Sequence, residues 1–230
     1  MPTLSIVIPA YNEERFIGTL LEQIKAVDLA QLGIDKQIIV VDDCSKDRTA
    51  EIAAAVPGVM LKRMLVNGGK GKAVRAGITM ATGEYLIIQD ADLEYDPGDY
   101  IPMLRELLSG RAEVVYGSRY LGRGRHSNQS LGAYLGGRSL SVIARVFTGR
   151  YLTDTVTALK LFHRSQLATI ELETSGFELD HEITAKLAYR GARITEVPIR
   201  YMPRSREEGK KIGPRDWFIA VRTFMRYRNG

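Results

Sequence analysis

The sequence has one cysteine and no long apolar run. Because Cys44 stands alone among 230 residues, an internal disulfide is excluded. The longest apolar stretches, such as LSIVIPA, fall well short of the roughly 18 residues that a membrane-spanning helix needs. No charged segment followed by an apolar one opens the chain, as it would in a secretory signal. We therefore expect a reducing, cytoplasmic compartment and no membrane-spanning helix.

The sequence has slightly fewer acidic residues than basic ones. The chain has 32 Lys and Arg against 27 Asp and Glu, a net charge of +5, and the region from Pro203 onward carries an excess of the same size. Such a basic end suits anionic lipids, phosphates or nucleic acid, or is a solvated helix face. Nucleic-acid binding would also need aromatic stacking residues among the clustered charges, a pattern that we do not find. We expect no nucleic-acid partner.

Apolar β-type segments alternate with helical periodicity through the first half of the chain. Four such units, the first with its strand at Leu4 to Pro9, predict an α/β fold with a mainly parallel sheet covered on both faces. No repeat or linker marks a second domain. The later segments predicted are a strand at Glu113 to Tyr116, a mobile loop at 117–130, a helix at Leu131 to Phe147, a strand at Ala158 to Phe162, a helix at Leu179 to Tyr189, a strand at Ile194 to Ile199 and a helix from Pro214.

Polar residues gather where three predicted strands end. In open α/β sheets, ligands bind outside the carboxyl ends of the strands. Any one of these carboxylates could be a helix cap or a turn residue. Three groups together would be costly without a compensating partner, so they predict a cation, a ribose, or both. The three groups are Tyr11, Asn12 and Glu13; Asp42 and Asp43; and Asp90 and Asp92.

The segment QDADLEYDP is the candidate metal site. Asp90 and Asp92 are two residues apart, so in an extended chain their side chains share one face and can reach one cation. Glu94, two residues after Asp92, would lie on the same face of an extended chain. Oxygen-only ligands suit Mg²⁺ or Mn²⁺, which would neutralise the diphosphate of a departing nucleotide.

Five motifs, in their order and spacing, resemble those of family 2 glycosyltransferases: SIVIPAYNEE, VDDCSKDRTA, GGKGKAVRAG, LIIQDADLEYDP and VYGSRY. The resemblance is to dolichol-phosphate mannose synthases and related polyprenyl-phosphate glycosyltransferases in particular, and it continues to EVPIRYMPRSREEGKKIG. It implies a GT-A fold, a Rossmann-like single domain. The division expected is a nucleotide-sugar-binding half at 1–117, an acceptor half with mobile loops at 118–213 and a terminal amphipathic helix at 214–230.

The activity implied is the inverting, metal-dependent transfer of a hexose from a nucleotide sugar to a polyprenyl (dolichyl) phosphate. Mannose from GDP-mannose is the favoured donor group, with UDP-glucose as another possibility. The alternative is a family 2 enzyme that uses UDP-glucose or another nucleotide sugar on a soluble or cell-envelope hydroxyl acceptor. A lipid acceptor would require peripheral membrane contact or a membrane partner.

The resemblance also implies donor-site roles. The residues expected to contact the base and the ribose are Pro9, Ala10, Tyr11 and Glu13, with Asp42 or Asp43 beside them. Metal and diphosphate are held by Asp90, Ala91 and Asp92, with Glu94 as a further metal ligand where the synthases typically have glutamine. The resemblance assigns phosphate contacts to Arg119, Arg204 and Lys210. Lys72 is a further candidate because it supplies positive charge where a helix begins after the glycine-rich turn.

The acceptor side resembles the family less closely. The segment DTVTALK, from Asp154 to Lys160, is similar to the family element D-x-x-[ST]-G-x-[KR], with Ala158 in place of the glycine. A lipid phosphate is already anionic and needs no strong general base. A hydroxyl acceptor would need one, and Asp154, Glu178 and Asp180 are the candidates.

The terminal segment WFIAVRTFMRYR is amphipathic. Trp217, Val221, Phe224 and Met225 share one face of the predicted helix. We expect this face to pack on the domain core, with insertion into a membrane interface as the alternative.

Overall fold

A computed structural model describes residues 1–121, 131–203 and 214–229. The described residues contain a seven-stranded sheet in the order β3-β2-β1-β4-β6-β5-β7. Its strands are β1 (Thr3–Ala10), β2 (Asp35–Asp42), β3 (Val59–Arg63), β4 (Tyr85–Ile88), β5 (Val114–Ser118), β6 (Lys160–His163) and β7 (Ile194–Pro198). Its helices are α1 (Ile17–Ala26), α2 (Thr49–Ala55), α3 (Lys70–Met80), α4 (Tyr100–Leu108), α5 (Leu131–Thr148), α6 (Arg164–Ala168), α7 (Leu179–Tyr189) and α8 (Pro214–Arg226).

The sheet is mainly parallel, as the alternating pattern predicted. Strand β1 pairs in parallel with β2 and β4, and β5 pairs in parallel with β7. Only β6 is reversed, since it runs antiparallel to both β4 and β5. The carboxyl ends of the other six strands therefore meet at one edge of the sheet.

Helices cover both faces of the sheet because the central strands are apolar on both sides. In β1, Ile6 and Ile8 belong to an apolar cluster with α1 and α4, whereas Val7, which points the other way, belongs to a cluster with α3 and α7. All four residues of β4 are buried. This burial on both sides is typical of parallel sheets.

Most element boundaries lie within two residues of the sequence expectation, and helix α7 matches it at both ends. Helix α4 begins at Tyr100, directly after a 3-10 turn that occupies Pro97–Asp99. Residues 122–130 of the predicted mobile loop lie outside the described residues. The proposed division into two halves and a terminal helix stays a prediction.

Helix α1 begins at Ile17, after a separate turn that follows β1. The backbone carbonyl of Glu13 accepts hydrogen bonds from the N–H groups of Phe16 and Ile17, both at 3.0 Å, and so forms a separate turn before the helix. Asn12 precedes this turn in the left-handed region, with φ 55°. Glu13 is therefore a loop residue at the sheet edge rather than a first-turn residue of α1.

Helix α8 packs on the domain, as expected. Phe224 is fully buried in a small cluster with Ala144 of α5 and Ala185 of α7. Met225 was expected on the same face but is 49% exposed, because it comes one residue, about 100°, after Phe224 around the helix. Within the described residues, no helix is both long and apolar enough to cross a membrane.

Close packing of α3 on the sheet depends on Gly77. A Cβ at this position would overlap Cγ1 of the fully buried Val7 and lie 3.3 Å from Cγ2 of Val41. We expect Gly77→Ala to lower the free energy of unfolding by about 1–3 kcal/mol, because overpacking forces neighbouring groups to move. Urea denaturation measures the change.

Gly136 of α5 provides the matched control. It also lies in a helix, but a Cβ there would meet no other atom within 4 Å. We expect Gly136→Ala to be neutral or stabilising by up to about 1 kcal/mol, because alanine restricts the unfolded chain. Equal losses of stability in both variants would contradict the packing argument.

Candidate functional site

The three polar groups predicted from the sequence lie at one edge of the sheet. Ala10 at the end of β1 is the register partner of Asp42 at the end of β2. The backbone N–H of Asp43 donates to the carbonyl of Ala10 at 2.8 Å. Strand β4, on the other side of β1, ends beside them, since the N–H of Gln89 just after β4 donates to the carbonyl of Val7 at 3.0 Å. We call this edge the rim.

The loop after β1 is fixed to the loop after β2. The Asn12 N–H donates to Oγ of Ser45 at 2.9 Å, and the Asn12 side chain accepts from the N–H of Lys46 at 2.8 Å. The Glu13 N–H donates to Oγ1 of Thr49 at 2.8 Å. The two loops therefore form one wall of the rim. Among its predicted site residues, Ala10 and Glu13 are buried, and Pro9 and Tyr11 are half-buried.

Asp42 and Asp43 differ in what holds their carboxylates. Asp43 accepts the backbone N–H groups of Gly68 and Gly69, one on each oxygen, both at 2.7 Å. Asp42 is completely buried, with Oδ2 3.5 Å from Nε of Arg63. Its Oδ1 has no hydrogen-bond partner within the described residues. An unsatisfied buried oxygen costs about 1–3 kcal/mol, so Asp42 is the one of the two that has an oxygen available for a ligand.

The glycine-rich segment GGKGKAVRAG packs against another loop of the chain. The N–H of Gly71 donates to the carbonyl of Ser175 at 2.6 Å. Gly69 has φ 86°, and a Cβ there would lie 2.5 Å from the same carbonyl. Glycine is needed here for backbone packing within the protein. At the start of α3, Lys72 is exposed, whereas the Lys70 side chain is 10% exposed.

Lys70 connects the rim to helix α7. Its Nζ lies 2.8 Å from Oδ1 of Asp90 and 3.1 Å from Oδ2 of Asp180, and the other oxygen of Asp180 lies 3.0 Å from Nζ of Lys160. Lys160 is fully buried and also donates to the carbonyl of Thr157. The four charged groups form a continuous chain, Lys160–Asp180–Lys70–Asp90, which we call the charge chain.

Burial and pairing in the charge chain shift the pKa values of Lys70, Asp180 and Lys160. Burial alone would lower the pKa of Lys70, but Asp180 and Asp90 outweigh it and raise this pKa. Burial alone would raise the pKa of Asp180, but Lys160 and Lys70 lower it to about 2. Asp180 is therefore an ionised carboxylate at neutral pH and a weak base. Burial lowers the pKa of Lys160 despite its contact with Asp180.

The segment from Asp90 to Glu94 is a turn, which corrects the extended geometry expected from the sequence. Strand β4 ends at Ile88, and Leu93 lies in the left-handed region with φ 60°. The Asp92 side chain accepts the N–H of Glu94 at 3.2 Å. Asp90 and Asp92 are half-buried at the rim, and Ala91 between them is buried.

Glu94 is engaged by the segment that follows β7. Its Oε2 accepts the hydroxyl of Tyr201 at 2.9 Å, and its backbone carbonyl accepts the N–H of Met202 at 2.9 Å. In the parts of the chain that the structure describes, no group of three or more His, Cys, Asp or Glu side chains is arranged to hold a metal ion. Asp90, Asp92 and Glu94 together therefore do not form a ready three-ligand site.

Arg119 and Asp154 form a buried bidentate ion pair. Nε and Nη2 of Arg119 lie 2.6 and 2.7 Å from the two Asp154 oxygens, and the Arg119 N–H donates to the same carboxylate at 3.0 Å. Asp154 is completely buried. The guanidinium also lies over the rings of Tyr120 and Tyr201, at 5.3 and 5.0 Å. Since Arg119 engages both oxygens, Asp154 is poorly placed to accept a proton.

The ion pair and the Asp90 turn belong to one cluster. Tyr95 is buried between them, and burial raises its pKa, with the carboxylates of Asp154, Asp90 and Glu94 adding to the effect against the opposing charge of Arg119. Tyr95 was not among the residues predicted from the sequence. Its only sequence signal is a tyrosine directly after the carboxylate-rich motif.

Two further charged residues support the candidate site: Glu196 was not predicted from the sequence, and Lys160 was named only as the last residue of DTVTALK. Glu196 in β7 accepts the N–H and hydroxyl of Thr153 and the N–H of Asp154, at 2.7 to 2.9 Å. Lys160 closes the charge chain. Both are charged residues within otherwise apolar strand segments, which is the signal that could have identified them.

Three predicted site residues remain: Glu178, Arg204 and Lys210. Glu178, half-buried just before α7, accepts the N–H of Gly176 at 3.1 Å. Arg204 and Lys210 lie outside the described residues.

Comparison with known proteins confirms the resemblance. The family described as "Glycosyl transferase family 2" matches residues 5–165. The chain is 30% identical over 216 residues to a dolichol-phosphate mannosyltransferase of Pyrococcus furiosus, covering 91% of this chain and 59% of that protein. It is 30% identical over 204 residues to a dolichyl-phosphate hexose transferase of Haloferax volcanii, covering 89% and 85%.

A third relative is about twice as long as the part that this chain matches. A low-salt glycan biosynthesis hexosyltransferase of Haloferax volcanii, Agl6, is 30% identical over 217 residues, with 94% of this chain and 52% of that protein covered. The chain thus spans between half and three fifths of the length of this protein and of the Pyrococcus furiosus enzyme.

Solved structures confirm the GT-A fold. Glucosyl-3-phosphoglycerate synthase from Mycobacterium tuberculosis with UDP superposes with a TM-score of 0.75 at 21% identity, covering 99% of this chain and 80% of that one. Staphylococcus aureus TarS, residues 1-349, with UDP gives a TM-score of 0.66 at 19% identity, covering 98% and 65%.

The charge chain predicts an acid-dependent stability. Because the folded pKa of Asp180 is about 2, below the roughly 3.9 of an unfolded aspartate, its ionised form stabilises the fold above pH ~4. That contribution is lost as the pH falls from ~4 to ~2. We expect Asp180→Asn to lower the unfolding free energy at pH 7 by about 3 kcal/mol or more and to flatten its dependence on pH in this window.

Urea denaturation at a series of pH values measures both effects. Asp35→Asn, at an exposed aspartate at the start of β2, is the matched control and should keep the wild-type slope. An unchanged slope in Asp180→Asn would show that the charge chain does not hold this carboxylate ionised.

Proposed function

Because this chain belongs to glycosyl transferase family 2, we propose that it transfers a hexose, with mannose favoured, from a nucleotide sugar to a polyprenyl (dolichyl) phosphate. The names of two relatives, a dolichol-phosphate mannosyltransferase and a dolichyl-phosphate hexose transferase, support this acceptor class. The lone Cys44 is in line with a cytoplasmic active site.

The observation that carries donor binding is the unsatisfied oxygen of Asp42. A carboxylate oxygen accepts hydrogen bonds, so the ligand of Oδ1 would present an N–H or O–H group. The ring N–H of uracil or guanine and the hydroxyls of a ribose meet this requirement. The wall that contains Pro9, Ala10, Tyr11 and Glu13 would hold the rest of the nucleoside beside Asp42.

The donor set at the Asp90 turn fits Mg²⁺ or Mn²⁺. Such an ion commonly keeps several waters and takes one or two carboxylates together with substrate phosphates, so three protein carboxylates are not required. Asp92 and Asp90 are the proposed ligands, and Glu94 would join them only by sharing its oxygens with Tyr201. When bound, the ion would supply Lewis-acid stabilisation of the diphosphate.

We assign the diphosphate contacts to cationic side chains. Arg119 keeps a fixed orientation because Asp154 holds it from one side, and such preorganised charge stabilises a leaving group without rearrangement. Lys72, Arg204 and Lys210 are the proposed further contacts. In the reaction, the acceptor oxygen forms a bond to the anomeric carbon as the carbon–oxygen bond to the diphosphate breaks, which inverts the configuration.

The state of the candidate bases favours a phosphate acceptor. Two of the three, Asp154 and Asp180, are paired with buried cations, and Asp180 has a pKa of about 2. A phosphate oxygen needs no deprotonation before it attacks. Among these three, only Glu178 is left for a hydroxyl acceptor.

A second candidate function is transfer from UDP-glucose or another UDP-sugar to a soluble or cell-envelope hydroxyl. The structural relatives that carry UDP favour uracil as the base, although their identity to this chain is only 19 to 21%. The two functions differ in the donor base and in the need for Glu178.

Thermal shift tests the donor site. We expect one of GDP and UDP, or its mannose or glucose conjugate, to raise the melting temperature in the presence of Mn²⁺, because ligands that bind only the folded state stabilise it. Asp92→Asn should remove the metal dependence, and Asp42→Asn should weaken binding by about tenfold or more. Asp35→Asn should behave as wild type, and no shift with any nucleotide would contradict donor binding.

Glu178→Gln distinguishes the acceptors. With a prenyl phosphate acceptor we expect kcat to fall less than about tenfold, whereas loss of a general base costs about 100-fold or more. The labelled product should partition into organic solvent. A water-soluble product together with the larger loss would favour the hydroxyl acceptor, and retained anomeric configuration by NMR would contradict the single displacement.

A further inference from the structure

The side chain of Tyr201 is fixed in place beside the Asp90 turn. It is buried, its ring lies 5.4 Å from that of Tyr95, and the guanidinium of Arg119 lies over it at 5.0 Å. The backbones of Tyr95 and Tyr201 also form an antiparallel β-bridge. Because interior side chains are closely packed, the ring and its hydroxyl have little room to move.

The chain on either side of this tyrosine is anchored as well. The N–H of Arg200 donates to a carboxylate oxygen of Asp99 at 2.7 Å, and Nη1 of the same arginine lies 2.8 Å from Oδ2 of Asp96. On the other side, the N–H of Met202 donates to the carbonyl of Glu94 at 2.9 Å. The residues after β7 therefore hold the tyrosine hydroxyl in a set position relative to the turn.

Glu94 is the more mobile partner in its hydrogen bond with Tyr201. Its Oε2 accepts the Tyr201 hydroxyl at 2.9 Å. Glu94 is half-buried, and a glutamate side chain has more rotatable bonds than a tyrosine side chain. Since packing already holds the hydroxyl, the hydrogen bond determines where the Glu94 carboxylate lies.

The same carboxylate lies close in the chain to the proposed metal ligands. Glu94 comes two residues after Asp92, and its N–H donates to the Asp92 side chain at 3.2 Å. As the described residues are arranged, Asp90, Asp92 and Glu94 do not form a three-carboxylate group that could hold a metal ion. A cation at the turn and the Tyr201 hydroxyl therefore compete for the Glu94 carboxylate.

This competition would lower the affinity of the turn for a cation. The affinity of a site for a hard cation rises with the number of charged oxygen ligands. A third carboxylate would tighten binding when no nucleotide is present, and it would take a coordination position that a diphosphate oxygen could fill. With two carboxylates, the cation depends on the diphosphate for tight binding and can leave together with it.

We propose that Tyr201 withholds Glu94 from the cation, so that without a nucleotide the Asp90 turn binds Mg²⁺ or Mn²⁺ weakly, through Asp90 and Asp92 alone. Tyr201 is a positioning residue, since it acts on the cation through Glu94. The inference rests on the metal site of the proposed function. It adds a residue that sets the strength of that site.

Electron paramagnetic resonance of free Mn²⁺ measures the affinity of the full chain for the metal alone. Tyr201→Phe keeps the ring and removes only the hydroxyl. We expect it to tighten Mn²⁺ binding by about fivefold or more, because a hydrogen bond to an ionised group no longer holds Glu94 back. A variant that merely disturbs the packing would not gain affinity.

Glu94→Gln completes a double-mutant cycle. A glutamine oxygen can still accept the Tyr201 hydroxyl but brings no charge to a cation. We expect Glu94→Gln alone to change Mn²⁺ affinity by less than about threefold, and Tyr201→Phe to have no effect in the Glu94→Gln background. Asp92→Asn is the reference for a metal ligand and should weaken binding by about tenfold or more.

The matched control is Tyr189→Phe. It removes the hydroxyl of a tyrosine that is 57% exposed at the C-terminal end of α7, and it should bind Mn²⁺ as the wild type does. Circular dichroism verifies that each variant is folded. Three results would overturn the proposal: unchanged or weaker Mn²⁺ binding in Tyr201→Phe, a gain that persists in the Glu94→Gln background, or a loss in Glu94→Gln as large as that in Asp92→Asn.

A parallel transfer assay separates this inference from the proposed function. It follows hexose transfer from each nucleotide sugar to a short prenyl phosphate. If the wild type forms the glycolipid but Tyr201→Phe gains no Mn²⁺ affinity, the inference fails and the proposed function stands. If Tyr201→Phe gains affinity through Glu94 but neither the wild type nor the variant forms a glycolipid, the proposed function fails and the role of Tyr201 stands.

Discussion

A lysine held between a buried and a half-buried carboxylate organises the candidate site. Lys70 lies at the start of α3, between Asp90 of the rim and Asp180 of α7, and Lys160 balances the second charge of Asp180. Each charge would be costly to bury alone, so the members stabilise one another only while all are in place. The charge chain therefore couples four elements, which are α3, the turn after β4, β6 and α7, and the position of Asp90 depends on the packing of α7 as well as on β4.

This coupling limits the chemistry of the site. Carboxylates that were candidates for proton transfer are committed to cations, Asp180 to two lysines and Asp154 to Arg119. At the same time, the buried oxygen of Asp42 lacks a partner among the described residues. Under the proposed function, Asp42 would accept a hydrogen bond from the donor molecule, and Arg119 would supply fixed positive charge where the diphosphate leaves. These properties suit an acceptor that arrives already ionised.

Much of this could be read from the sequence because it depends on local pattern. Alternation of apolar strand segments with helical periodicity predicted the mainly parallel sheet, and polar residues after three strands predicted the rim. The Asp90 turn was misjudged because the left-handed conformation of Leu93 is not expected of a leucine. Met225 was misplaced because a helical wheel of apolar residues does not show which arc meets the core.

The sequence by itself determined the family, the GT-A fold and the segments that supply the site, since periodicity, strand order and motif spacing are properties of the chain. Only the tertiary structure decided which charged side chains pair with each other. It separated Asp42 from Asp43, placed Lys70 in the core of the site and Lys72 on the surface, and paired Asp154 with Arg119. The reason is physical. The energy of a buried ion pair depends on the distance between two side chains that the fold brings together, and this distance cannot be predicted from their separation in sequence.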